Sequence, residues 1–256
     1  MLPQVFRKIG ASLADLLWPR RCAGCDAGLL LPGAADPLFC SDCRLTVSPI
    51  DPGSSCPRCA APVVIFEPSS LRLPACLDCR RLPALLGRLS APYEYGGALA
   101  DALLRLKWRG RDDLAAPLGA LLAPALLGRA GCCDVVVPVP LHRRRLRQRG
   151  YNQASLLARA ALRTAGLRGV LPLRPGLLLR TRADPPARGL GPEGRFLRTV
   201  GAFAVPPRAR PAVLGQRVLL LDDVVTTGAT ALGCATALRS AGARSVEVLA
   251  LLRAAP

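Results

Sequence analysis

The stretch that decides the fold runs Val218-Leu-Leu-Leu-Asp222-Asp223-Val-Val-Thr226-Thr227-Gly228-Ala229-Thr230. Residues 217–222 contain the apolar run 218–221, of the kind found in strands that are buried on both faces of a parallel sheet. Thr and Gly residues follow, and they lead directly into the Ala- and Leu-rich segment 229–241, with Gly242 past its end. The stretch therefore predicts a strand, a short loop and a helix of an α/β domain.

Neighbouring segments repeat this alternation. Residues 134–140 and 245–252 read as buried strands, and residues 151–165 read as a helix. A strand, helix, strand order indicates right-handed parallel crossovers. We expect a parallel α/β domain over residues 90–256.

The predicted strand ends in two carboxylates, Asp222 and Asp223, and a Thr/Gly loop over residues 226–230 follows them. In α/β proteins, ligand sites lie at the carboxyl edge of the sheet. The loop offers backbone N–H groups, hydroxyls and the positive end of a helix dipole, which suit a phosphate monoester. Asp222 and Asp223 suit vicinal ribose hydroxyls or the water ligands of Mg²⁺. A strand capped by Asp, with Thr227 or Thr230 as N-cap, would explain only some of these positions.

Eight of the eleven cysteines form four C-x-x-C pairs within residues 22–79, separated by the segments 26–39, 44–55 and 60–75. Each pair can direct two thiolates at one ion, and two pairs complete a tetrahedral site. We expect two structural zinc ions in a double zinc-ribbon module over residues 21–85. The ligands are Cys22, Cys25, Cys40, Cys43, Cys56, Cys59, Cys76 and Cys79.

Two other uses of these cysteines remain open at this point. Disulfides require an oxidising compartment, which nothing else in the sequence indicates. An iron–sulfur cluster more often shows C-x-x-C-x-x-C spacing, which is absent. Short loops favour sequential pairing (22/25 with 40/43, 56/59 with 76/79), although cross-braced pairing also fits the spacing. We interpret Cys132, Cys133 and Cys234 as small core residues.

The chain has 256 residues and a formal charge of +18, nearly all of the excess being Arg. At 51% hydrophobic residues it is too apolar for a disordered basic tail. Residues 1–90 hold 10 basic and 7 acidic side chains, whereas residues 91–256 hold 25 and 10. An acidic partner such as polyphosphate, nucleotide or nucleic acid is therefore expected at the C-terminal part.

The longest runs free of charged side chains, such as the predicted helix 114–128, fall short of the roughly 20 apolar residues that a membrane-spanning helix needs. We therefore expect no transmembrane helix. Residues 1–20 read as a helical segment, and Asp15 within it argues against a signal peptide. We expect a cytoplasmic protein.

The segment 218–230 resembles the phosphoribosyl pyrophosphate (PRPP) loop of type I phosphoribosyltransferases. The whole chain resembles the ComF family of competence-associated proteins, which join a zinc module to a phosphoribosyltransferase-like domain. The motifs that support this resemblance are the C-x-x-C pairs, Leu106-Lys-Trp-Arg-Gly110, Val137-Pro-Val-Pro-Leu141 and Arg149-Gly-Tyr-Asn-Gln153.

The resemblance implies PRPP bound with magnesium, single-stranded DNA as a partner, and a role in DNA uptake alongside other DNA-uptake proteins. The implied PRPP contacts are Asp222, Asp223, Thr226, Thr227, Gly228, Ala229 and Thr230. Contacts to pyrophosphate or nucleic acid are expected from Lys107, Arg109, Arg143, Arg145, Arg147, Arg149 and Asn152. The Arg run also fits a solvated surface loop, and His142 beside it fits a surface position or a general base.

The alternative is an active enzyme that transfers phosphoribosyl to a nitrogenous acceptor in nucleotide salvage. Asp222, Asp223 and Lys107 would then be catalytic, with Lys107 at the departing pyrophosphate. The segment from Arg180 to Phe203 departs from the family pattern at Asp184, Ala187 and Arg198, which puts turnover in doubt more than PRPP binding.

Overall fold

The computed structural model describes residues 21–29, 38–63, 76, 79, 86–182, 199, and 201–254. The helical segment expected at residues 1–20 lies outside the described residues. So do the departures at Asp184, Ala187 and Arg198.

Strands and helices alternate along the described chain. The strands are β1 (Leu89–Ser90), β2 (Tyr93–Glu94), β3 (Val135–Pro138), β4 (Leu179–Arg180), β5 (Phe203–Ala204), β6 (Arg217–Val225) and β7 (Ser245–Arg253). The α-helices are α1 (Ser41–Leu45), α2 (Gly97–Trp108), α3 (Ala115–Ala120), α4 (Ala123–Leu127), α5 (Arg143–Arg149), α6 (Gln153–Thr164) and α7 (Ala229–Ser240). Short 3-10 helices cover Pro52–Ser54, Asp112–Leu114 and Pro207–Ala212.

The main sheet is parallel, in the order β1-β7-β6-β3, with β2 continuing the edge beside β7. Its centre is the pair β6 and β7, whose residues are almost entirely buried. Strands β4 and β5 form a separate antiparallel pair. This confirms the predicted parallel α/β fold.

Three predicted elements differ from the structure. Strand β6 continues beyond the two carboxylates to Val225, because Val224 and Val225 also pair with β7. The segment 114–128, which contains Pro117 and Pro124, is broken into α3 and α4. The Arg run interpreted as a possible surface loop is the helix α5.

Side chains of the sheet alternate between two cores. Val218 and Leu220 face one core together with α7, whereas Leu219 and Leu221 face the other together with α2 and α6. The cysteines join both cores, with Cys56, Cys59 and Cys79 in the first and Cys22 in the second. The Cys-rich module therefore packs against both faces of the sheet. Within the described ranges, no helix has the length and apolar character needed to span a membrane.

Candidate functional site

The acidic pair lies in β6 near the carboxyl edge of the sheet. Asp222 is 9% exposed and Asp223 is 4% exposed. Asp222 Oδ1 accepts a hydrogen bond from the backbone N–H of Asp223 at 2.8 Å. Strand β3 ends at the same edge, where the N–H of Val139 donates to the carbonyl of Leu221. The chain segments that follow β3 and β6 therefore emerge side by side.

Lys107, near the end of α2, reaches this pair. Its Nζ lies 2.9 Å from Asp223 Oδ2. That oxygen is buried, and no hydrogen bond among the described residues satisfies it in addition to the ion pair. Such an incompletely satisfied buried carboxylate fits a ligand hydroxyl or a water of a bound cation.

Burial raises the pKa of Asp222, and the neighbouring charge of Asp223 raises it further. The hydrogen bond from the Asp223 N–H and the charge of Lys107 oppose these effects. Two adjacent carboxyls in one buried strand are costly to ionise together. A cation or a donor at this edge would relieve that cost.

The loop 226–230 turns from β6 into α7. Thr226 is exposed, and Thr227, Ala229 and Thr230 are partly exposed. Gly228 has φ 78°, a left-handed conformation that favours glycine, and it is the N-cap of α7. The N–H of Ala229 lies 3.4 Å from Thr227 Oγ1, so the loop turns its polar groups toward the start of the helix. The predicted strand, loop and helix are confirmed.

An aromatic side chain and a guanidinium pack against each other next to Lys107. Trp108 follows Lys107 and is 68% exposed. The guanidinium of Arg149 lies 4.8 Å from the centre of its ring. Arg149 also donates to Gln153 Oε1. Burial lowers the pKa of Arg149, and the charge of Asp223 opposes that effect.

The remaining predicted basic residues occupy the surface around these groups. Arg143, Arg145 and Arg147 are exposed along α5, and Arg109 is exposed after α2. The His142 side chain accepts from the Arg144 N–H as the N-cap of α5. The His142 side chain therefore stabilises the start of α5.

Asn152 makes structural hydrogen bonds through both ends of its amide. Its Oδ1 accepts from the N–H groups of Ala154 and Ser155, and its Nδ2 donates to the Val139 carbonyl at 3.0 Å. It thereby fixes the start of α6 against the end of β3. The ligand contact expected of Asn152 stays a prediction.

The eight ligand cysteines form two separate groups. The first cysteine cluster is Cys22, Cys25, Cys40 and Cys43, and the second is Cys56, Cys59, Cys76 and Cys79. Within each cluster the sulfur atoms lie within 4.8 Å of one another. Sequential pairing is therefore confirmed, and cross-braced pairing is wrong.

The two clusters begin with the same backbone turn. Asp26 and Ala60, the residues just after the first C-x-x-C pair of each cluster, have φ of 69° and 56°. Their N–H groups donate to the carbonyls of Cys22 and Cys56. The same knuckle geometry therefore occurs twice.

The sulfur positions fit a tetrahedral metal ion. Cys25 and Cys40 are 3.7 Å apart, and Cys59 and Cys76 are 3.6 Å apart. Zinc–thiolate bonds of about 2.3 Å place neighbouring sulfurs about 3.8 Å apart. A disulfide requires about 2.05 Å, so the disulfide alternative is wrong for these pairs.

Burial raises the pKa of Cys22, but backbone N–H groups more than offset it and lower this pKa to about 6. The same balance lowers the pKa of Cys56 to about 7. Burial raises the pKa of Cys43 and Cys79. Each cluster thus contains one thiol with a lowered pKa and one with a raised pKa. A bound metal ion would favour the thiolate form of the second thiol.

Sequence reasoning missed Arg253 and misplaced one cysteine. Arg253 ends β7, is 7% exposed, and donates to the carbonyls of Cys59 and Thr226. A cation directly after a long apolar strand was the available signal. Cys133 and Cys234 are core residues as expected, whereas Cys132 is exposed because it precedes the buried strand in a turn.

Comparison with known proteins bears on both parts of the chain. A family model described as a double zinc ribbon domain matches residues 13–80. The chain is 30% identical to the DNA utilization protein YhgH of Escherichia coli K12 over 203 residues, which cover 77% of this chain and 83% of that protein. It is 27% identical to the competence protein ComFC of Bacillus subtilis over 233 residues, or 85% of each chain.

A solved structure of glutamine PRPP amidotransferase from Bacillus subtilis matches with 21% identity and a TM-score of 0.37. That match covers 57% of this chain and 30% of the other, so the chain spans less than a third of that protein. The YhgH match, by contrast, extends over most of both chains and reaches 30% identity. With its two four-cysteine clusters and its parallel α/β domain, the chain therefore belongs to the ComF family.

Proposed function

We propose that this protein acts in DNA uptake as a ComF-type protein that binds PRPP with magnesium and also binds single-stranded DNA. The observation that carries the proposal is the convergence of Lys107, the pair Asp222 and Asp223, and the loop 226–230 at one sheet edge. The printed names of the relatives, DNA utilization protein and competence protein, support the same role.

The groups at this edge match the parts of PRPP in turn. The loop 226–230 presents N–H groups and hydroxyls that would hold the 5′-phosphate. Asp222 and Asp223 would accept hydrogen bonds from the ribose hydroxyls, and their oxygens would hold Mg²⁺ through its water ligands. Bound magnesium would supply positive charge that neutralises pyrophosphate. Lys107 would turn from Asp223 toward the pyrophosphate, or share both.

The DNA surface we propose is α5 together with Trp108. Exposed Arg143, Arg145 and Arg147 would contact phosphates, and the exposed ring of Trp108 would stack on a base. Arg149 already covers part of that ring, which pre-organises it. Partners among DNA-uptake proteins and a cytoplasmic location are part of the same proposal.

The two cysteine clusters would hold two structural zinc ions. Zinc supplies folding free energy and no reaction step in this role. The cysteines themselves connect the Cys-rich module to both cores of the sheet.

PRPP binding is tested by thermal unfolding. We expect PRPP with Mg²⁺, at about a hundred times its Kd, to raise the Tm by about 5 °C or more. Asp223→Asn combined with Thr227→Ala removes two of the expected contacts and should abolish the shift. The control, Asp101→Asn with Thr164→Ala, changes the same residue types at exposed positions and should keep it. An unchanged Tm in the wild type would refute PRPP binding.

The second candidate function is a phosphoribosyltransferase. The ion pair between Lys107 and Asp223 favours it, because it places a cation beside the expected reaction centre. In this reaction the C1–oxygen bond to pyrophosphate breaks and a bond from C1 to an acceptor nitrogen forms. Pyrophosphate release with a panel of nucleobases separates turnover from binding alone.

A further inference from the structure

Arg253 is a buried cation whose hydrogen bonds within the described chain all go to backbone carbonyls. Its Nε donates to the Cys59 carbonyl at 3.1 Å. Its Nη1 donates to the carbonyls of Val225, Thr226 and Ala254. One guanidinium therefore joins Cys59 of the second cysteine cluster to the end of β6 and to Thr226, the first residue of the loop 226–230.

A second contact path joins the same two features. The Arg58 carbonyl, within the same C-x-x-C turn, accepts from the Leu89 N–H at 2.8 Å. The Leu89 side chain in turn lies 3.7 Å from the position that a Cβ on Gly228 would occupy. Leu89 therefore hydrogen-bonds the knuckle of the second cluster through its backbone and lies close to Gly228 of the loop, in addition to the link through Arg253.

The Cys59 carbonyl belongs to the C-x-x-C turn 56–59, so its orientation depends on the geometry of that turn. Without a metal, thiols that lie within 4.8 Å of one another have no ligand bond to hold that turn. Arg253 would then lose one of its acceptors, and a buried guanidinium with an unmet donor is unfavourable. It would shift toward other acceptors and take the Val225 and Thr226 carbonyls with it.

We propose that Arg253 is a positioning residue that couples metal in the second cysteine cluster to phosphate binding by the loop 226–230. This inference rests on the proposed PRPP site. Coupling between two ligands is reciprocal, so PRPP must strengthen zinc retention by the same factor as zinc strengthens PRPP binding. If Arg253 had a purely structural role, replacing it would leave this factor unchanged.

The test measures zinc retention on the full zinc-loaded chain. A zinc-selective chelator is titrated with and without PRPP and Mg²⁺, and alkylation of each cysteine by N-ethylmaleimide is followed by peptide mass spectrometry. We expect PRPP to raise the chelator concentration that half-exposes Cys56, Cys59, Cys76 and Cys79 by about fivefold or more. Arg253→Gln should remove this shift and weaken PRPP binding in calorimetry by a similar factor.

The matched control is Arg239→Gln. Arg239 also donates to backbone carbonyls, those of Ala243 and Arg244, but at the opposite end of α7. This variant should retain the shift. Arg253→Lys, which keeps the charge but not the fork of donors, provides a second variant if the glutamine chain does not fold.

Three outcomes overturn the inference in distinguishable ways. If PRPP binds the wild type but leaves the chelator midpoint of the second cluster unchanged, the coupling is absent and the proposed function stands. If PRPP does not bind the wild type, both the proposed function and the coupling fail. The wild-type comparison decides whether zinc and PRPP are coupled, and a shift that persists in Arg253→Gln or Arg253→Lys would overturn the role of Arg253.

Discussion

Asp222 is buried in β6, one of the two central strands of the sheet, beside a second carboxyl, and its pKa is raised by that burial and by the charge of Asp223. A carboxyl whose pKa is higher in the folded than in the unfolded chain takes up protons on folding. Its contribution to stability is therefore fully present below the unfolded pKa, near 4, and is lost as pH rises through the folded pKa. The site carries an ionisation cost that a ligand can relieve.

We expect Asp222→Asn to stabilise the free protein near neutral and alkaline pH. The amide keeps the Oδ1 acceptor for the Asp223 N–H but removes the buried charge. Urea unfolding at about pH 8 should show a higher midpoint than the wild type, and the difference should shrink toward about pH 5, where the wild-type carboxyl is protonated more often.

The control for this prediction is Asp134→Asn. Asp134 directly precedes β3, the strand that pairs with β6. Arg217 hydrogen-bonds Asp134 and lowers its pKa, so its stabilising effect is present throughout that pH range. This variant should lower the midpoint at both pH values. A midpoint difference for Asp222→Asn that does not vary with pH would contradict the burial argument.

The helix α5 concentrates positive charge on one exposed element. It begins at the His142 N-cap and ends at Gly150, whose φ of 83° allows the left-handed turn into α6. Every residue from Arg143 to Gln148 is exposed, including the apolar Leu146. Because α5 follows β3, its arginines lie beyond the same sheet edge as the acidic pair.

We expect Arg143/Arg145/Arg147→Ala to weaken single-stranded DNA binding and to reduce its salt dependence. Each lost phosphate contact removes about 0.7 from the slope of log affinity against log salt, so three should remove about 2. Fluorescence anisotropy with a labelled oligonucleotide at several salt concentrations measures both quantities.

A variant with the same charge change tests whether position matters. Arg163, Arg168 and Arg208 are exposed and lie outside α5, so Arg163/Arg168/Arg208→Ala should leave most of the slope intact. Equal slopes for wild type and the α5 variant would remove this helix from the DNA site.

At the scale of the whole molecule, metal and charge are unevenly distributed. Eight thiolates with two Zn²⁺ add four negative charges, which lowers the formal charge from +18 to about +14. That change falls entirely on the Cys-rich module, which leaves the basic excess on the α/β domain. The cysteines nevertheless belong to both cores of that domain.

We therefore expect zinc removal to destabilise the whole protein and not only the Cys-rich part. Chelation should lower the Tm of a single calorimetric transition by about 10 °C or more, and added zinc should restore it. Cys234→Ala, which alters a buried cysteine outside both clusters, should leave the zinc content unchanged. A separate metal-dependent transition, with the main one unmoved, would contradict the shared-core argument.

Much of the fold could be predicted because its signals are local. The apolar run 218–221 and the Thr/Gly loop that follows the two carboxylates predicted β6, the turn and α7, since hydrophobic pattern and turn chemistry act over a few residues. The C-x-x-C spacing predicted two four-cysteine sites for the same reason. The spacing left their pairing open, because sequential and cross-braced clusters use identical knuckles.

Contacts between distant segments could not be predicted in this way. The sequence made Lys107 a candidate, but its ion pair with Asp223 depends on how α2 packs over the sheet. The link from Arg253 to Cys59 depends on the second cluster lying against the strand that ends at Arg253. Such contacts arise when residues far apart in sequence share one core, and no short-range pattern encodes which of them will meet.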